Sequence, residues 1–324
     1  MPSLNPLAYF GPAMPQENLA GRTVAGYRLV ECVGEGGTAT VYRAQHTERG
    51  ACAVKILRER MRSDPVAVKR FLREAGYGSR VHHPSVVQTY DYGEADHLYY
   101  LALEWADGEP LSEFAQRSGP LAPPLVVELV RQLCGGLTAA HAEGIIHRDL
   151  KPENIVYNPA TRALKLLDFG IARDAQLDAA ERLTRTGFFV GTLHYVAPEA
   201  LSGELVSEAA DIYSVATITY YLLTGRHPYP GRSPRELFQQ LLTEDPVPLN
   251  QAVKGLRFSR QLEEVVMRGL SRDTAKRQQT VARFAEELTG ALDGSAPAPE
   301  QLGADGGMLS RFMSAVKRKL PGNS

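Results

Sequence analysis

Cysteine is scarce in this chain. Three occur in 324 residues, Cys32, Cys52 and Cys134, odd in number and far apart. No C-x-x-C pair is present, so neither a cysteine zinc site nor a disulfide framework is expected. The three read as small buried apolar side chains in a reducing compartment. Long apolar runs are missing too: nowhere do about 18 such residues follow one another, so no membrane span is predicted. The opening stretch, MPSLNPLAYFGPAMPQENLAG, has no basic region followed by an apolar one. No signal peptide is therefore expected, and the cytoplasm is the default compartment. Neither sign of charge is in excess, since 36 basic and 37 acidic side chains leave a formal −1. That balance argues against a dedicated nucleic-acid binder. No internal repeat is visible. What remains, 44% apolar and 23% charged, is an ordinary globular composition, which excludes wholesale disorder, collagen and disulfide scaffolds. The length allows about two folding units with a sizeable core.

Residues 1–26 are rich in Pro, Gly and Asn without periodicity and read as a leader arm. From Tyr27 three short runs rich in β-branched and aromatic residues follow, YRLVECVG, TATVYRAQH and CAVKIL, which predict an antiparallel meander. A helix is expected next, because Asp64 can cap it and Pro65 suits its first position. Its apolar face would hold Val68, Phe71, Leu72 and Ala75. Two further strands are expected around VVQTYDYG and HLYYLALEW. Beyond Asp107 long helical patterns dominate, such as PPLVVELVRQLCGGLTAAHAEG and SEAADIYSVATITYYLLTG. The chain thus reads as a small β-rich unit followed by a larger helical one. Residues 293–307 have the composition of a flexible linker, and 308–324 form a last short segment.

Three places carry chemistry. Gly34-Glu35-Gly36-Gly37-Thr38-Ala39, between two strand patterns, would let backbone N–H groups approach phosphates, although for such a run alone a Gly-rich hairpin turn is the commoner explanation. A dinucleotide fingerprint fails because a strand follows, and a Walker A loop fails because no Gly-Lys-Ser/Thr ends the run. Lys55 lies inside the apolar strand AVKIL, where an unpaired ammonium is costly; it is either an edge lysine or a functional one. Glu74, one turn along from Phe71, is a partner for it or a solvated helix glutamate. The third place is His147-Arg148-Asp149-Leu150-Lys151-Pro152-Glu153-Asn154, followed by Asp168-Phe169-Gly170. It packs a carboxylate, an ammonium and a carboxamide into six positions, and Pro152 forbids a continuous helix. Asp149 can accept a proton or orient a hydroxyl, Lys151 can neutralise a moving phosphoryl group, and Asn154 with Asp168 offer hard oxygen ligands of the kind Mg²⁺ requires.

In this order, with Ala197-Pro198-Glu199 further on, these motifs resemble the eukaryotic-like (Hanks-type) serine/threonine protein kinases of bacteria, over roughly residues 27–292. The resemblance implies an α+β, bilobal protein-kinase fold. Its N-lobe (27–106) would be a small antiparallel sheet with one main helix, and its C-lobe (107–292) larger and helical. It also implies ATP as co-substrate, Mg²⁺ or Mn²⁺ as cofactor, and protein Ser/Thr hydroxyls as acceptors. Carried over residue by residue, Gly34, Gly36 and the backbone of Gly37 to Thr38, with Glu35 among them, cover the ATP phosphates, and Val33 lies above the adenine. Lys55 contacts the phosphates and is held by Glu74. Val41 and Ala53, with Val156 and Leu167 below, sandwich the adenine, while Glu104 and Ala106 offer hinge hydrogen bonds behind a Leu103 gatekeeper. Asp149 is the catalytic base, Lys151 steadies the γ-phosphoryl group, Thr192 bridges the two, and Asn154 and Asp168 hold the metal. Asp211 resembles the helix aspartate that braces the catalytic loop, and Arg277 the arginine that pairs with Glu199. Two departures stand out. Ala39 replaces the third loop glycine, which is expected to loosen nucleotide affinity if its methyl does not fit. His194 stands where an aromatic is common, and it reads, like His82 and His83, as a packed or surface histidine.

Regulation is read from Arg148, which beside the catalytic aspartate needs a counter-charge. Thr184 and Thr186, near Arg182 and Arg185, would supply it when phosphorylated, and autophosphorylation with a cognate Ser/Thr phosphatase as its reversal is expected. In the last segment Leu309, Phe312, Met313, Val316 and Leu320 recur at helical spacing among Arg311, Lys317, Arg318 and Lys319. Such a basic amphipathic helix contacts a membrane surface or a partner, or else is a frayed tail. These residues carry +4, so the rest of the chain carries −5. Two rival readings stay open at this level: a pseudokinase scaffold, disfavoured by the complete set of catalytic residues, and a small-molecule kinase, disfavoured by Lys151 and by Ala197-Pro198-Glu199.

Overall fold

The computed structural model describes residues 18–167, 193–202 and 206–293. Its smaller part is a six-stranded antiparallel sheet of β1 (Thr23–Val24), β2 (Tyr27–Glu35), β3 (Ala39–His46), β4 (Gly50–Leu57), β5 (Thr89–Ala95) and β6 (Leu98–Glu104), in the order β1-β2-β3-β4-β6-β5. Two helices accompany it, the single turn α1 (Glu59–Arg62) and α2 (Pro65–Gly78). The three glycine-separated runs do form a consecutive antiparallel meander.

Helix α2 starts where its sequence says it should. Asp64 Oδ1 accepts from Val66 N at 2.9 Å, and Pro65, which has no N–H to leave unpaired, opens the first turn. Ala67, Phe71, Ala75 and Gly78 are buried, a spacing that keeps one stripe on the sheet. Phe71 and Ala75 pack with Ala39, Leu57 and Leu101, with Val68 and Leu72 at the margin.

The helical part comprises α3 (Leu111–Ser118), α4 (Pro123–Ala142), α5 (Pro198–Ser202), α6 (Glu208–Thr224), α7 (Pro234–Thr243), α8 (Arg260–Gly269) and α9 (Val281–Asp293). Helix α6 is buried almost all round, as its weakly segregated sequence requires of a central helix. Its hydroxyls satisfy themselves inside that core: Ser214, Thr217, Thr219 and Thr224 each donate to the carbonyl four residues back, at 2.7–3.0 Å. A three-stranded sheet, β7 (Glu109–Pro110), β8 (Ile155–Asn158) and β9 (Ala163–Leu166), carries the residues facing the smaller part. Gly108, at φ 135°, is needed for its first strand to close, because a Cβ there would sit 2.4 Å from the Tyr157 carbonyl oxygen.

Three expectations need correction. The leader arm does not run to residue 26: Thr23 and Val24 pair with Arg28 and Tyr27, and Leu19 and Val24 are buried in the sheet's core. Leu19 and Val24 are each flanked by alanine, glycine and polar residues and form no periodic run, and much of the core they join comes from residues further along the chain, such as Tyr42 and Tyr100. The helical part extends one residue further than expected, α9 ending at Asp293. Cys32 is exposed, unlike Cys52 and Cys134, because it lies in the Val30–Val33 stretch of β2, which the core of the sheet leaves uncovered. Among the described residues no helix is long and apolar enough to cross a membrane.

Candidate active site

The glycine run is a tight hairpin between β2 and β3, closed by Gly36 N donating to the Ala39 carbonyl at 2.9 Å. Ala39, in place of a third glycine, is 2% exposed and packs with Leu57 and Phe71. Its methyl thus fills the core below the loop and does not intrude above it. The hairpin is tethered from below by the turn around α1. Arg58 N donates to the Thr38 carbonyl at 2.9 Å, Arg58 Nη2 to Glu35 Oε2 at 3.0 Å and Arg60 Nη2 to the Gly37 carbonyl at 2.8 Å. Neither arginine stood out in the sequence, since only the return of the chain past Leu57 brings them under the loop. Replacing Arg60 by Ala is expected to raise the KM for ATP about threefold, the scale of one exposed charged contact, with kcat unchanged. Steady-state kinetics at varied ATP check this.

Lys55, on β4, reaches Glu74 of α2 with Nζ 2.9 Å from Oε1, the two side chains 13% and 16% exposed. Most of the ammonium's lost hydration is thereby replaced by an opposite charge. Around it, Val41, Ala53, Val156 and Leu167 are each only partly covered while their strand neighbours Tyr42, Val54, Ile155 and Leu166 are buried, and Val33 is 47% exposed. These five apolar side chains face away from the cores of their sheets. Leu103, Trp105 and Ala106 are likewise partly exposed at the crossing between the two parts.

At that crossing Glu104 has a second set of contacts that the sequence did not suggest. Its carboxylate lies 2.6 Å from Lys165 Nζ on β9 and accepts from Gln88 N at 3.1 Å, while Glu104 N donates to the Gln88 carbonyl at 2.9 Å. The crossing strand is thus pinned to β9, whose end precedes Asp168. His83, nearby, is held below its ordinary pKa by burial and then by the Lys165 ammonium.

The segment His147–Asn154 is held from beneath by Asp211, which is fully buried in α6. Asp211 Oδ2 accepts from His147 N at 2.9 Å and Oδ1 from Arg148 N at 3.1 Å, and His141 Nε2 lies 2.7 Å from Oδ2. Arg148 adopts φ 63°, and that left-handed step lets two successive amides converge on one carboxylate. On top of this brace, Asp149 Oδ2 is 3.4 Å from Lys151 Nζ and from Asn154 Nδ2, and Asn154 Nδ2 also donates to the Asp149 carbonyl at 2.9 Å. The Asn154 amide nitrogen is committed to these bonds, which leaves its carboxamide oxygen as a ligand. Asn154 O accepts from Leu167 N at 2.9 Å, so the residue preceding Asp168 is fastened to the same loop. Both points suit a divalent cation of oxygen preference. Arg148 Nε is buried with no hydrogen-bond partner among the described residues. Asp168, Thr184, Thr186 and Thr192 lie outside the described residues, as does the segment 308–324.

Beyond it, residues 193–199 are fastened at several points. Glu199 and Arg277 form a buried two-pronged pair at 2.7 and 2.8 Å. Ser214 Oγ shares its single proton between the Ala210 carbonyl and the Tyr195 carbonyl, the latter at 2.8 Å. His194 stacks on His227 with ring centres 3.8 Å apart, and His227 lies against Tyr221 at 4.9 Å on nearly parallel planes. Burial pushes the His194 imidazole down to about 4, and burial with the neighbouring His194 pushes His227 down to about 3. The groups facing this pair are Tyr195 and Tyr221, both held above the phenol range by burial and then by the Glu153 carboxylate. Because the folded state refuses protons that the unfolded chain takes up below about 6.5, stability is full above that pH. It falls as pH drops from about 6.5 toward 4. For His227 the slope is roughly 1 kcal/mol per pH unit after allowance for partial exposure. The melting temperature is expected to fall between pH 7 and pH 5, and less steeply in His227→Phe. Melting curves across that range check it.

The model of the protein kinase domain matches residues 27–288. The serine/threonine-protein kinase PknB of Mycobacterium tuberculosis is 36% identical over 295 residues, covering 90% of this chain and 46% of that protein. This chain therefore spans about half the length of that curated relative. Among solved structures, the Mycobacterium tuberculosis PknI kinase domain superposes with a TM-score of 0.66 at 28% identity, over 85% of this chain and all of that one. Rad53 (1–466) in complex with AMP-PNP does so with a TM-score of 0.66 at 28% identity, over 81% of this chain and 64% of that one. With the family model spanning both lobes and a relative of this identity along nine-tenths of the chain, the protein belongs to the protein kinase family, in its bacterial Hanks-type serine/threonine branch.

Proposed function

We propose that this chain transfers the γ-phosphoryl group of ATP to serine and threonine hydroxyls of proteins, in a signalling role. The observation that carries the reading is the grouping of Asp149, Lys151 and Asn154 on one loop braced by Asp211. Phosphoryl transfer needs in-line positioning and neutralisation of charge, with little covalent chemistry from the protein. Asp149 orients the acceptor hydroxyl and takes its proton. Lys151 faces the charge on the transferring group. Lys55, steadied by Glu74, holds the α- and β-phosphates, while the backbone from Gly34 to Thr38, with Glu35, Gly36 and Gly37, covers them. Val33, Val41, Ala53, Val156 and Leu167 are uncovered apolar surface suited to the two faces of adenine, with Glu104 and Ala106 at its edge. Asn154 and Asp168 would hold a divalent cation, Mg²⁺ or Mn²⁺, with the nucleotide, and it would supply the remaining positive charge. The complex of Rad53 with AMP-PNP supports the nucleotide half of this reading by analogy of fold.

Incubation with γ-labelled Mg-ATP and dephosphorylated casein, followed by phosphoamino-acid analysis, tests it. Phosphoserine or phosphothreonine on casein is expected; label found only in free phosphate or small molecules would overturn it. Autophosphorylation at Thr184 and Thr186, paired with Arg148 and reversed by a cognate phosphatase, belongs to the same reading. Equal activity of a Thr184→Ala/Thr186→Ala variant, with no phosphate on the wild-type loop, would remove that part. The same holds for a cytoplasmic enzyme whose segment 308–324 touches an anionic membrane or a partner. Salt-sensitive vesicle co-sedimentation lost on deleting that segment is the expected result for a membrane contact.

A further inference from the structure

A protein hydroxyl that reaches Asp149 must cross the surface beside the catalytic loop. One wall of that surface is residues 193–198. Asp211 of α6 gathers the amides of His147 and Arg148, and Ser214, three residues further along the same helix, bonds the Tyr195 carbonyl, so this wall and the catalytic loop are fastened side by side to one helix. It is not secured by the Glu199–Arg277 pair alone. His227, in the turn after α6, touches it twice: its ring stacks on His194, and its Nε2 lies 3.1 Å from the Tyr195 hydroxyl. Its other face rests against Tyr221 of the buried helix α6. The edge of Tyr195 also meets the His227 ring at 79°, with centres 5.5 Å apart. A ring clamped between a helix and a loop transmits the helix's rigidity to the loop, because neither neighbour can move without losing a face of contact.

We propose that His227 is a positioning residue for the protein substrate, holding residues 193–198 in place beside the catalytic loop through its stack on His194 and its hydrogen bond to Tyr195. The inference rests on the protein-kinase reading above. An uncharged imidazole suits the role, since a charged one would repel a protonated neighbour at 3.8 Å. Among the described residues its ring and hydrogen-bond contacts are with His194, Tyr195 and Tyr221, so its effect is expected on the acceptor and not on the nucleotide.

The test compares wild type with His227→Ala, His227→Phe, Tyr195→Phe and the His227→Phe/Tyr195→Phe pair, using dephosphorylated casein as the probe. His227→Ala is expected to raise the KM for casein about tenfold, leaving the KM for ATP within about twofold. His227→Phe keeps the stack and loses the hydrogen bond, so a rise of about threefold is expected. Tyr195→Phe should match it, and the pair should be no worse than either single variant. The proposal is overturned if both KM values rise together, if the casein KM is unchanged while only the melting temperature falls, or if the two Phe substitutions add. Should His227→Ala fail to fold, the Phe variants decide alone. Wild type that does not label casein refutes the kinase reading, whereas wild type that labels it beside an unaffected His227→Ala refutes only this inference.

Discussion

Asp149→Asn is expected to lower kcat for phosphoryl transfer about 10²- to 10⁴-fold, the range for removing a general base, with nucleotide affinity held within about twofold. The substitution is nearly isosteric, and the contacts that shape the loop do not depend on the lost charge. The Asp149 carbonyl still accepts from Asn154, and Asp211 still gathers the amides of His147 and Arg148. What disappears is the carboxylate proposed to take the hydroxyl proton, and with it the counter-charge 3.4 Å from Lys151. Trp105, the only tryptophan, sits between Glu104 and Ala106 at the crossing of the lobes, so its fluorescence reports ATP binding independently of turnover. A variant keeping more than a tenth of wild-type kcat would take Asp149 out of the chemistry.

Arg277→Met is expected to be the most damaging change to stability. Arg277 is fully buried and Glu199 nearly so, and the guanidinium also donates to the carbonyls of Ala209 and Ser271, each at 2.7 Å, while lying over the Tyr213 ring. Removing it leaves a carboxylate in the core without its cation, a loss of about 3–5 kcal/mol. In a domain of this size that lowers the melting temperature by roughly 10 °C. Glu199→Gln, which keeps a hydrogen-bond acceptor and buries no charge of its own, should cost less. The double variant Glu199→Met/Arg277→Met should be more stable than Arg277→Met alone, since no unpaired charge remains. Thermal unfolding of the four proteins decides; a double variant no more stable than Arg277→Met would show that the pair is not coupled.

Much of the site was legible because its parts are local. Asp149, Lys151 and Asn154 lie within six residues of one another, and the capping of α2 needed only Asp64 and Pro65. Even the Lys55–Glu74 pair was within reach, since a lysine in an apolar strand demands a partner and the next helix offered one. Other groups left no local signal. Arg58 and Arg60 look like ordinary exposed arginines until the β4–α1 turn places them under the glycine hairpin. Lys165 and Glu104 are 61 residues apart, and either reads as a solvated charge until β9 meets the crossing strand. His227 had no motif at all.

The chain's linear order thus determined the chemistry: which residue types stand together at the catalytic loop, which helix is central enough to be apolar all round, and where the strand lysine falls. Such features repeat with a short period or sit within a few residues, and short-range sterics and hydrogen bonding suffice to express them. Tertiary structure decided how those groups are held. The choice between an edge lysine and a paired one, the accommodation of the Ala39 methyl in the core, the burial of Leu19 ahead of the sheet, and the stack of His194 on His227 all depend on surfaces brought together from distant segments. Their energies come from burial and from charges meeting out of water, and neither exists until the chain has closed on itself.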